Sequence, residues 1–173
     1  MQRSAESRFR DIYERHRDDV MLYVRRRVAP DSVDDVVAET FLVCWRKLEE
    51  VPGQPLPWLY AVARNTLANH HRTTARQAGV SDRRSDEAFS PIGSDQGLAR
   101  AFVRLSEPDR EVLRLVAWEH LSLRDAARAL GCSHVACRVR FHRARRRLAS
   151  QLEQFDEPAA APEARPHPEG ATQ

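Results

Sequence analysis

Residues 121–148, LSLRDAARALGCSHVACRVRFHRARRRL, contain the sequence signals that decide the fold of this chain. Ser122 and Asp125 have the S-x-x-D spacing of a capping box, which predicts the start of a first helix. Gly131 stands where that helix must end, because glycine adopts the left-handed conformation of a helix C-terminus at little cost. Ser133 is placed to cap a second helix. The stretch therefore predicts a helix-turn-helix.

The second helix of this motif has one apolar face and one basic face. Its apolar residues recur at the spacing of a buried stripe, and they are Cys137, Phe141, Ala144 and Leu148. Residues 131–148 hold six arginines and no acidic residue, so ion pairs within the helix cannot balance the charge. A solvated basic surface helix is the alternative interpretation. The combined turn and charge pattern favours a helix that binds nucleic-acid phosphates.

The length and composition favour a small intracellular protein. A chain of 173 residues has room for one domain or two small ones. Its three cysteines are too few and too irregularly spaced for a disulfide framework, which predicts reduced thiols. No apolar run reaches the ~20 residues that a membrane helix needs. The N-terminus lacks the apolar core of a signal peptide, and we expect a cytoplasmic protein without membrane insertion.

Residues 1–75 are predicted to form a first helical domain. Within it, Ser32 and Asp35 have the spacing of a second capping box. A helical apolar stripe follows, which consists of Val33, Val36, Val37, Phe41, Cys44, Trp45 and Leu48. Leu42 and Val43 lie off this stripe on a charged face. They indicate either a local irregularity or a surface that docks a partner.

A further helix is predicted at residues 58–72, WLYAVARNTLANHHR, after a loop rich in proline and glycine. Its outer strip mixes an aromatic side chain, amides and a cation, and consists of Trp58, Ala61, Asn65, Asn69 and Arg72. Side chains of these types stack on bases and hydrogen-bond to them. From the residues alone, an ordinary polar surface with a tryptophan anchor is the better interpretation.

The predicted fold is all-α, with two small helical domains joined by a flexible linker. The linker is residues 76–97, which are polar, rich in Ser, Asp and Gly, and without periodicity. The second domain is residues 98–153 and contains the helix-turn-helix, with Ser106 and Pro108 predicted to cap and start its central helix. Residues 154–173 are rich in proline and alanine, and they predict a disordered tail.

Four stretches of the chain, taken in order, resemble bacterial RNA polymerase sigma factors of the extracytoplasmic-function (ECF) type. They are DDVVAETFLVCWRKL at 34–48, WLYAVARNTLANHHR at 58–72, LSEPDREVLRL at 105–115, and LSLRDAARALGCSHVACRVRFHRARRRL at 121–148. Four ordered motifs around one linker are far more specific than any single one. The resemblance implies a non-enzymatic factor without a cofactor. Such a factor binds core RNA polymerase and directs promoter-specific initiation by reading the minus-ten and minus-thirty-five elements.

The resemblance also implies roles for particular residues of this chain. It assigns docking on the polymerase to Asp35, Glu39, Leu42 and Arg46. It assigns reading of the minus-ten element to Trp58, Asn65, Asn69 and Arg72. It assigns reading of the minus-thirty-five element to Arg138, Val139, Arg140, His142, Arg143 and Arg146. The implied partners are core RNA polymerase and promoter DNA, and an anti-sigma protein is a further candidate.

This chain departs from the pattern of the family at two places. Ala38 stands where the family often has Gln, and Ala136-Cys137 stands where the recognition helix often has Thr-Val. Both replacements are small and compatible with a helix, so the predicted fold is unaffected. They bear on the detail of docking and on which promoter sequence is preferred.

Two other functional classes remain as alternatives. A repressor or activator with the same helix-turn-helix explains residues 98–153 but gives no role to residues 34–72. A metal or redox sensor would use the cysteines and histidines of the chain, namely Cys132, His134 and Cys137 with His70 and His71. Their spacing fits no standard zinc pattern, and we predict no metal site. An enzyme is least supported, because no phosphate loop, paired carboxylates or nucleophile arrangement is present.

Overall fold

The computed structural model describes residues 4–77 and 96–156, which form seven α-helices and no strand. The first half contains α1 (Ala5–Arg25), α2 (Val33–Arg46) and α3 (Pro55–Gln77). The second half contains α4 (Gln96–Val103), α5 (Glu107–Ala117), α6 (Leu123–Leu130) and α7 (His134–Asp156). Short 3-10 turns, Pro30–Ser32 and Leu48–Glu50, stand before and after α2. The all-α prediction is confirmed.

The first three helices pack against one another around a shared apolar core. Its fully buried members include Val24 on α1, Cys44 on α2, and Leu59 and Ala63 on α3. Trp45 differs from the prediction, which placed it on the buried stripe. Its side chain is 43% exposed, because it lies at the edge of the core. There its ring contacts Phe9 edge to face, with the ring centroids 5.2 Å apart.

Two of the predicted side-chain caps are wrong. Ser32 makes no capping hydrogen bond, because it ends the 3-10 turn and already has a helical backbone (φ −98°, ψ −6°). Ser106 has an extended backbone, but its hydroxyl caps nothing; its carbonyl oxygen accepts from the Asp109 N–H at 3.0 Å. A proline within the first two residues fixes the start of α5, as expected for Pro108.

The second half is organised around α7, against which α4, α5 and α6 all pack. Val112, Leu115, Ala126 and Cys137 are almost completely buried at these contacts. The sequence did not predict that charged side chains are buried with them. Four such residues lie on α5, namely Asp109, Arg110, Glu111 and Arg114.

The two halves contact each other directly. Helix α3 packs on α6, and the end of α1 contacts α5 through polar side chains. The buried apolar residues of both halves also belong to one contiguous cluster. The division into two domains therefore stays a prediction, and the closeness of the halves is a feature that the sequence did not indicate.

The helix bounds differ slightly from the predicted segments. Helix α3 runs to Gln77 and α4 begins at Gln96, so the ends of the predicted linker are helical. Helix α7 continues to Asp156, through the first three residues assigned to the tail. The rest of both segments, 78–95 and 157–173, lies outside the described residues. None of the helices described is both long enough and apolar enough to cross a membrane.

Candidate nucleic-acid interface

The first helix of the helix-turn-helix begins and ends as predicted. The Asp125 N–H donates to Ser122 Oγ at 3.1 Å, and the Ser122 hydroxyl donates to Asp125 Oδ2 at 2.7 Å. Gly131 has the left-handed conformation, with φ +66°. The N–H of Cys132 then donates to the carbonyl of Ala127 at 3.0 Å, the bond of a Schellman turn. These local bonds fix the angle at which the chain enters α7.

Helix α7 is held in place by its cap and its apolar stripe. The Ala136 N–H donates to Ser133 Oγ at 3.1 Å, as the sequence predicted. Cys137 and Ala144 are completely buried, while Phe141 is partly buried against the same core. Because this stripe faces inward, the opposite face of α7 is turned to solvent.

The predicted minus-thirty-five residues lie on that outer face. Arg140 is half-buried, and the exposed members are Arg138, Val139, His142, Arg143 and Arg146. Within residues 4–77 and 96–153, no carboxylate forms an ion pair with any of these four arginines. The α7 basic face, as we call these six residues, therefore carries positive charge that the described part of the chain does not balance.

Two other arginines of α7 have different surroundings. Arg147 forms an ion pair with Asp109 of α5, so an acid distant in sequence balances one of the six charges. The Arg145 guanidinium lies over the ring of Phe141, 5.8 Å from its centroid. The ion pair links Arg147 to α5 and balances its charge, although its side chain stays 61% exposed.

Sequence reasoning missed one exposed apolar residue at the start of α7. Val135 is 61% exposed and lies one helical turn before Val139, which is 40% exposed. The N-terminal residues of a recognition helix contact base edges, and apolar groups there contact the methyl of thymine. The signal was present in the sequence, because Val135 and Val139 are four residues apart and off the buried stripe.

A groove of about 730 Å³ lies between α2 and α3. Asp35 and Glu39 line one wall, and Trp58, Asn65 and Asn69 line the other. The structure thus brings together residues to which the family resemblance assigned two separate roles. The sequence did not indicate this groove, because its two walls come from helices separated by a loop.

The remaining predicted residues of this half lie outside the lining of the groove. Leu42 is 41% exposed on α2, and Arg46 and Arg72 are exposed. Arg72 donates a hydrogen bond to the side-chain oxygen of Asn69. With that oxygen engaged, the amide N–H₂ of Asn69 is its remaining side-chain hydrogen-bonding group, and it is a donor.

An aromatic cluster that the sequence did not predict joins α1 to α2. The ring centroids of Tyr13 and Phe41 are 4.8 Å apart, and those of Phe9 and Trp45 are 5.2 Å apart. Tyr13 is 37% exposed and Trp45 is 43% exposed. Together with Leu42 they give this side of the first half several exposed apolar side chains.

The metal-sensor alternative gains no support from the geometry. Among the residues described, no three His, Cys, Asp or Glu side chains come together in a way that would hold a metal ion. Cys137 is completely buried, and burial raises the pKa of its thiol to about 11. A thiol of that kind is a poor metal ligand, because metals bind the thiolate.

Comparison with known proteins identifies the family to which both halves of the chain are similar. The sequence profile of Sigma-70 region 2 matches residues 12–77, and that of Sigma-70, region 4 matches residues 95–148. The ECF RNA polymerase sigma factor SigF of Caulobacter vibrioides is 32% identical over 143 residues, which cover 78% of this chain and 79% of SigF. The chain belongs to the ECF family of RNA polymerase sigma factors. The resemblance seen in the sequence is therefore confirmed, and the protein is a factor of transcription initiation.

Other members resemble this ECF sigma factor over both halves. The RNA polymerase sigma factor NccH of Alcaligenes xylosoxydans xylosoxydans is 28% identical over 163 residues, covering 84% of this chain and 87% of NccH. The structure of CnrH in complex with the cytosolic domain of CnrY has a TM-score of 0.60 at 26% identity, and it covers 84% of this chain and 88% of CnrH. RpoE of Bartonella quintana, solved with the anti-sigma factor NepR, has a TM-score of 0.62 at 24% identity. It covers 86% of this chain and 98% of RpoE, and shows a shared fold.

Proposed function

We propose that this ECF sigma factor binds core RNA polymerase and directs initiation by contacting two promoter elements. In this proposal the α7 basic face contacts the minus-thirty-five element, and the α2–α3 groove contacts the minus-ten element. The observation that supports it most is the α7 basic face, because three of its four arginines are exposed on the second helix of a helix-turn-helix. Phosphates of a duplex relieve the repulsion among such charges.

The chemistry of α7 suits a major groove. Arginine binds guanine bidentately through O6 and N7, and arginine also neutralises phosphates. Arg138 and His142 lie four residues apart on the outward side of the helix, with Val135 and Val139 beside them. The face therefore offers donors for guanine and methyl groups for thymine. Arg143 and Arg146, farther along the helix, are better placed for the backbone of the duplex.

The chemistry of the α2–α3 groove suits an unstacked base. Trp58 is half-buried in one wall and offers a surface for stacking, and Asn65 and Asn69 offer amides for hydrogen bonds. The carboxylates of Asp35 and Glu39 on the other wall repel phosphates. A base enters such a groove more favourably than the sugar-phosphate backbone does.

Transcription with purified core polymerase tests the proposal. The chain and core polymerase are incubated with fragments of the source genome, and the transcripts are sequenced to locate the promoters. We expect Arg138→Ala and Arg143→Ala to lower initiation at those promoters by about 5- to 150-fold, since a specific base or phosphate contact contributes about 1–3 kcal/mol. Binding of core polymerase should be unchanged. The matched control is Arg15→Ala, an exposed arginine of α1, which should change neither quantity.

Salt dependence distinguishes phosphate contacts from base contacts. Each phosphate that an arginine neutralises contributes about 0.9 to the slope of log K against log salt. We expect Arg143→Ala or Arg146→Ala to reduce the magnitude of that slope by about 0.9 when promoter binding by the holoenzyme is measured at several salt concentrations. A slope identical to that of the unchanged protein would place both side chains away from the phosphates.

Docking on the polymerase is best tested at Leu42, because this residue lies outside the groove. A Leu42→Asp change is expected to abolish the pull-down of core polymerase. The control is Leu22→Asp, since Leu22 is a leucine of α1 with a similar exposure of 47% against 41%. Normal pull-down by the Leu42 variant would refute this docking surface. Charge reversal at Glu39 is expected to impair assembly as well, but Glu39 also lines the groove.

The alternative function is a helix-turn-helix repressor or activator that acts without docking on polymerase. Initiation by core polymerase with this chain as the only added factor separates the two, because a repressor does not permit it. We also propose an anti-sigma protein as a partner, since CnrH was solved with the cytosolic domain of CnrY. Such a partner is expected to displace core polymerase in the same pull-down.

A further inference from the structure

Two cysteines lie next to each other where the turn of the helix-turn-helix enters α7. The Ala136 N–H donates to Ser133 Oγ, so Ser133 is the N-cap of α7. Cys132 is therefore the residue before the cap, and Cys137 is the fourth residue of the helix. Apolar side chains at these two positions often pack against each other as a hydrophobic staple. In this chain both positions of the staple are thiols.

The two thiols of this staple are in contact. The pKa of the Cys137 thiol is raised to about 11, first by its burial and then by the Cys132 thiol, to which it is hydrogen-bonded. Cys132 also packs against the buried cluster to which Cys137 belongs. The Cys132 N–H donates to the Ala127 carbonyl at 3.0 Å, and the Cys137 N–H donates to the Ser133 carbonyl at 2.9 Å. Backbone hydrogen bonds thus fix the chain at both cysteines.

The two thiols differ in their access to solvent. Cys132 is partly buried, whereas Cys137 is completely buried. A small oxidant in solution therefore meets Cys132 first. Its product is then already next to a second thiol, which is the arrangement of a reactive cysteine beside a resolving cysteine.

We propose that Cys132 and Cys137 form a reversible oxidation site, at which a peroxide converts the two thiols into a disulfide and thereby weakens the binding of α7 to promoter DNA. The effect on transcription rests on the proposed function. The disulfide itself is a property of the free chain, so the two can be tested separately.

The oxidation takes place in two steps. The Cys132 sulfur first attacks hydrogen peroxide and breaks its O–O bond, which gives a sulfenic acid and one water. The Cys137 sulfur then displaces the hydroxyl group from that sulfenic acid, so that an S–S bond forms and the hydroxyl leaves with the thiol proton as a second water. Two electrons pass from the thiols to the peroxide. A dithiol reductant restores both thiols by thiol–disulfide exchange.

A disulfide at this position changes the start of α7. An S–S bond is only about 2.05 Å long, so the two sulfur atoms must approach each other from hydrogen-bonding distance. The core around Cys137 is close-packed and has little room for a shift. The first turn of α7 is therefore displaced, and Val135 and Arg138 move with it. The N-terminal residues of a recognition helix contact base edges, so their displacement weakens promoter binding.

The test treats the reduced full chain with hydrogen peroxide, removes the peroxide with catalase, and then adds core polymerase and the promoters located by transcript sequencing. Trypsin cleaves after Arg128 and Arg138 and releases residues 129–138, which contain both cysteines of the site but not Cys44. We expect mass spectrometry to find a disulfide within this peptide. Initiation should fall about 5-fold or more, as for the loss of one base contact. Dithiothreitol should reverse both changes.

Three variants separate the site from other effects of peroxide. Cys132→Ser removes the thiol that meets the oxidant, and Cys137→Val removes its partner but keeps an apolar residue that the family often has there. Both should initiate equally well before and after peroxide. In Cys137→Val, a sulfenic acid should accumulate at Cys132 and be labelled by dimedone. The matched control is Cys44→Ala, which removes the completely buried cysteine of α2 and should keep the full response.

Measurements on the unaltered chain decide the proposal even if a variant does not fold, as circular dichroism would show. Two free thiols in the peptide after peroxide, or a disulfide that joins two chains, would overturn the site. A disulfide between Cys132 and Cys137 that leaves initiation unchanged would overturn its effect on promoter binding. Absence of initiation with the untreated chain would instead overturn the proposed function, while the peptide would still report on the disulfide.

Discussion

The hydroxyl of Tyr23 donates a hydrogen bond of 2.7 Å to the carboxylate of Glu111, a residue 88 positions farther along the chain. Both side chains are buried, and the same carboxylate accepts from Arg27. One bond thus ties the end of α1 to α5, and with it the first half of the molecule to the second. The stability of the folded chain is expected to depend on it.

Tyr23→Phe removes the hydroxyl and keeps the ring, which stacks on Tyr60 with the centroids 4.7 Å apart. We expect the free energy of unfolding to fall by about 1–3 kcal/mol, because the buried Glu111 loses one of its donors. Urea denaturation followed by circular dichroism measures the change. Tyr13→Phe is the control, since Tyr13 is 37% exposed and its loss should cost under about 0.5 kcal/mol. Equal losses in the two variants would contradict a special role for the Tyr23 hydroxyl.

Acid is expected to destabilise the folded chain through Glu111. Burial by itself raises the pKa of Glu111, but the charge of Arg27 and the hydrogen bonds from Tyr23 and Arg27 outweigh it and hold the pKa below the ordinary 4.5. The unfolded chain then binds the proton first as the pH falls. The stabilisation is complete above pH 4.5 and is lost as the pH falls below that value toward the folded pKa.

Denaturation at about pH 6 and about pH 3 measures this linkage. The free energy of unfolding should fall more steeply in the unaltered chain than in Glu111→Gln, which cannot titrate at this position. Arg27 and Arg114, which pair with Glu111, stay charged at both pH values. Glu50→Gln, at an exposed pair with Lys47, should keep the full dependence. A Glu111→Gln variant with the unaltered pH profile would rule out this cause.

Gly131→Ala is expected to destabilise the helix-turn-helix by about 1–2 kcal/mol, because Gly131 has a left-handed φ of +66°. A Cβ at this position would meet no atom within 4 Å, so the cost is conformational rather than steric. Gly53→Ala provides the control, since a Cβ there is also free of contacts and its φ is not positive. It should leave the melting temperature unchanged or raise it slightly. Thermal unfolding of both variants compares the two effects directly.

The three cysteines are expected to differ in reactivity. Cys44 and Cys137 are completely buried, and burial raises the pKa of each thiol to about 11. Cys132 is only partly buried. Iodoacetamide near pH 8 should therefore label one thiol of the native protein and all three after denaturation, as mass spectrometry would show. Rapid labelling of Cys137 in the native protein would mean that α7 leaves its core readily.

Parts of the candidate site were predictable because their causes are local. Ser122, Asp125, Gly131 and Ser133 act within four residues of the helix ends that they fix, and each forms the predicted bond or turn. The prediction was wrong at Ser32, because its backbone is already helical and its side chain makes no capping hydrogen bond. The exposed face of α7 could also be predicted from the apolar stripe of the helix. Because Cys137 and Ala144 face the core, the arginines on the opposite side face solvent.

The sequence by itself determined the helical class, the helix-turn-helix, the family and the basic face, because capping and periodicity act between neighbours in the chain. Only the tertiary structure decided that Asp35 and Asn65 share one groove, and that Arg147, although its side chain is 61% exposed, pairs with Asp109. The burial of Glu111 against Arg27 is likewise visible only in the tertiary structure. In the sequence a charged residue of α5 resembles any surface residue, and its partner 84 positions away is chosen only when the chain folds back on itself.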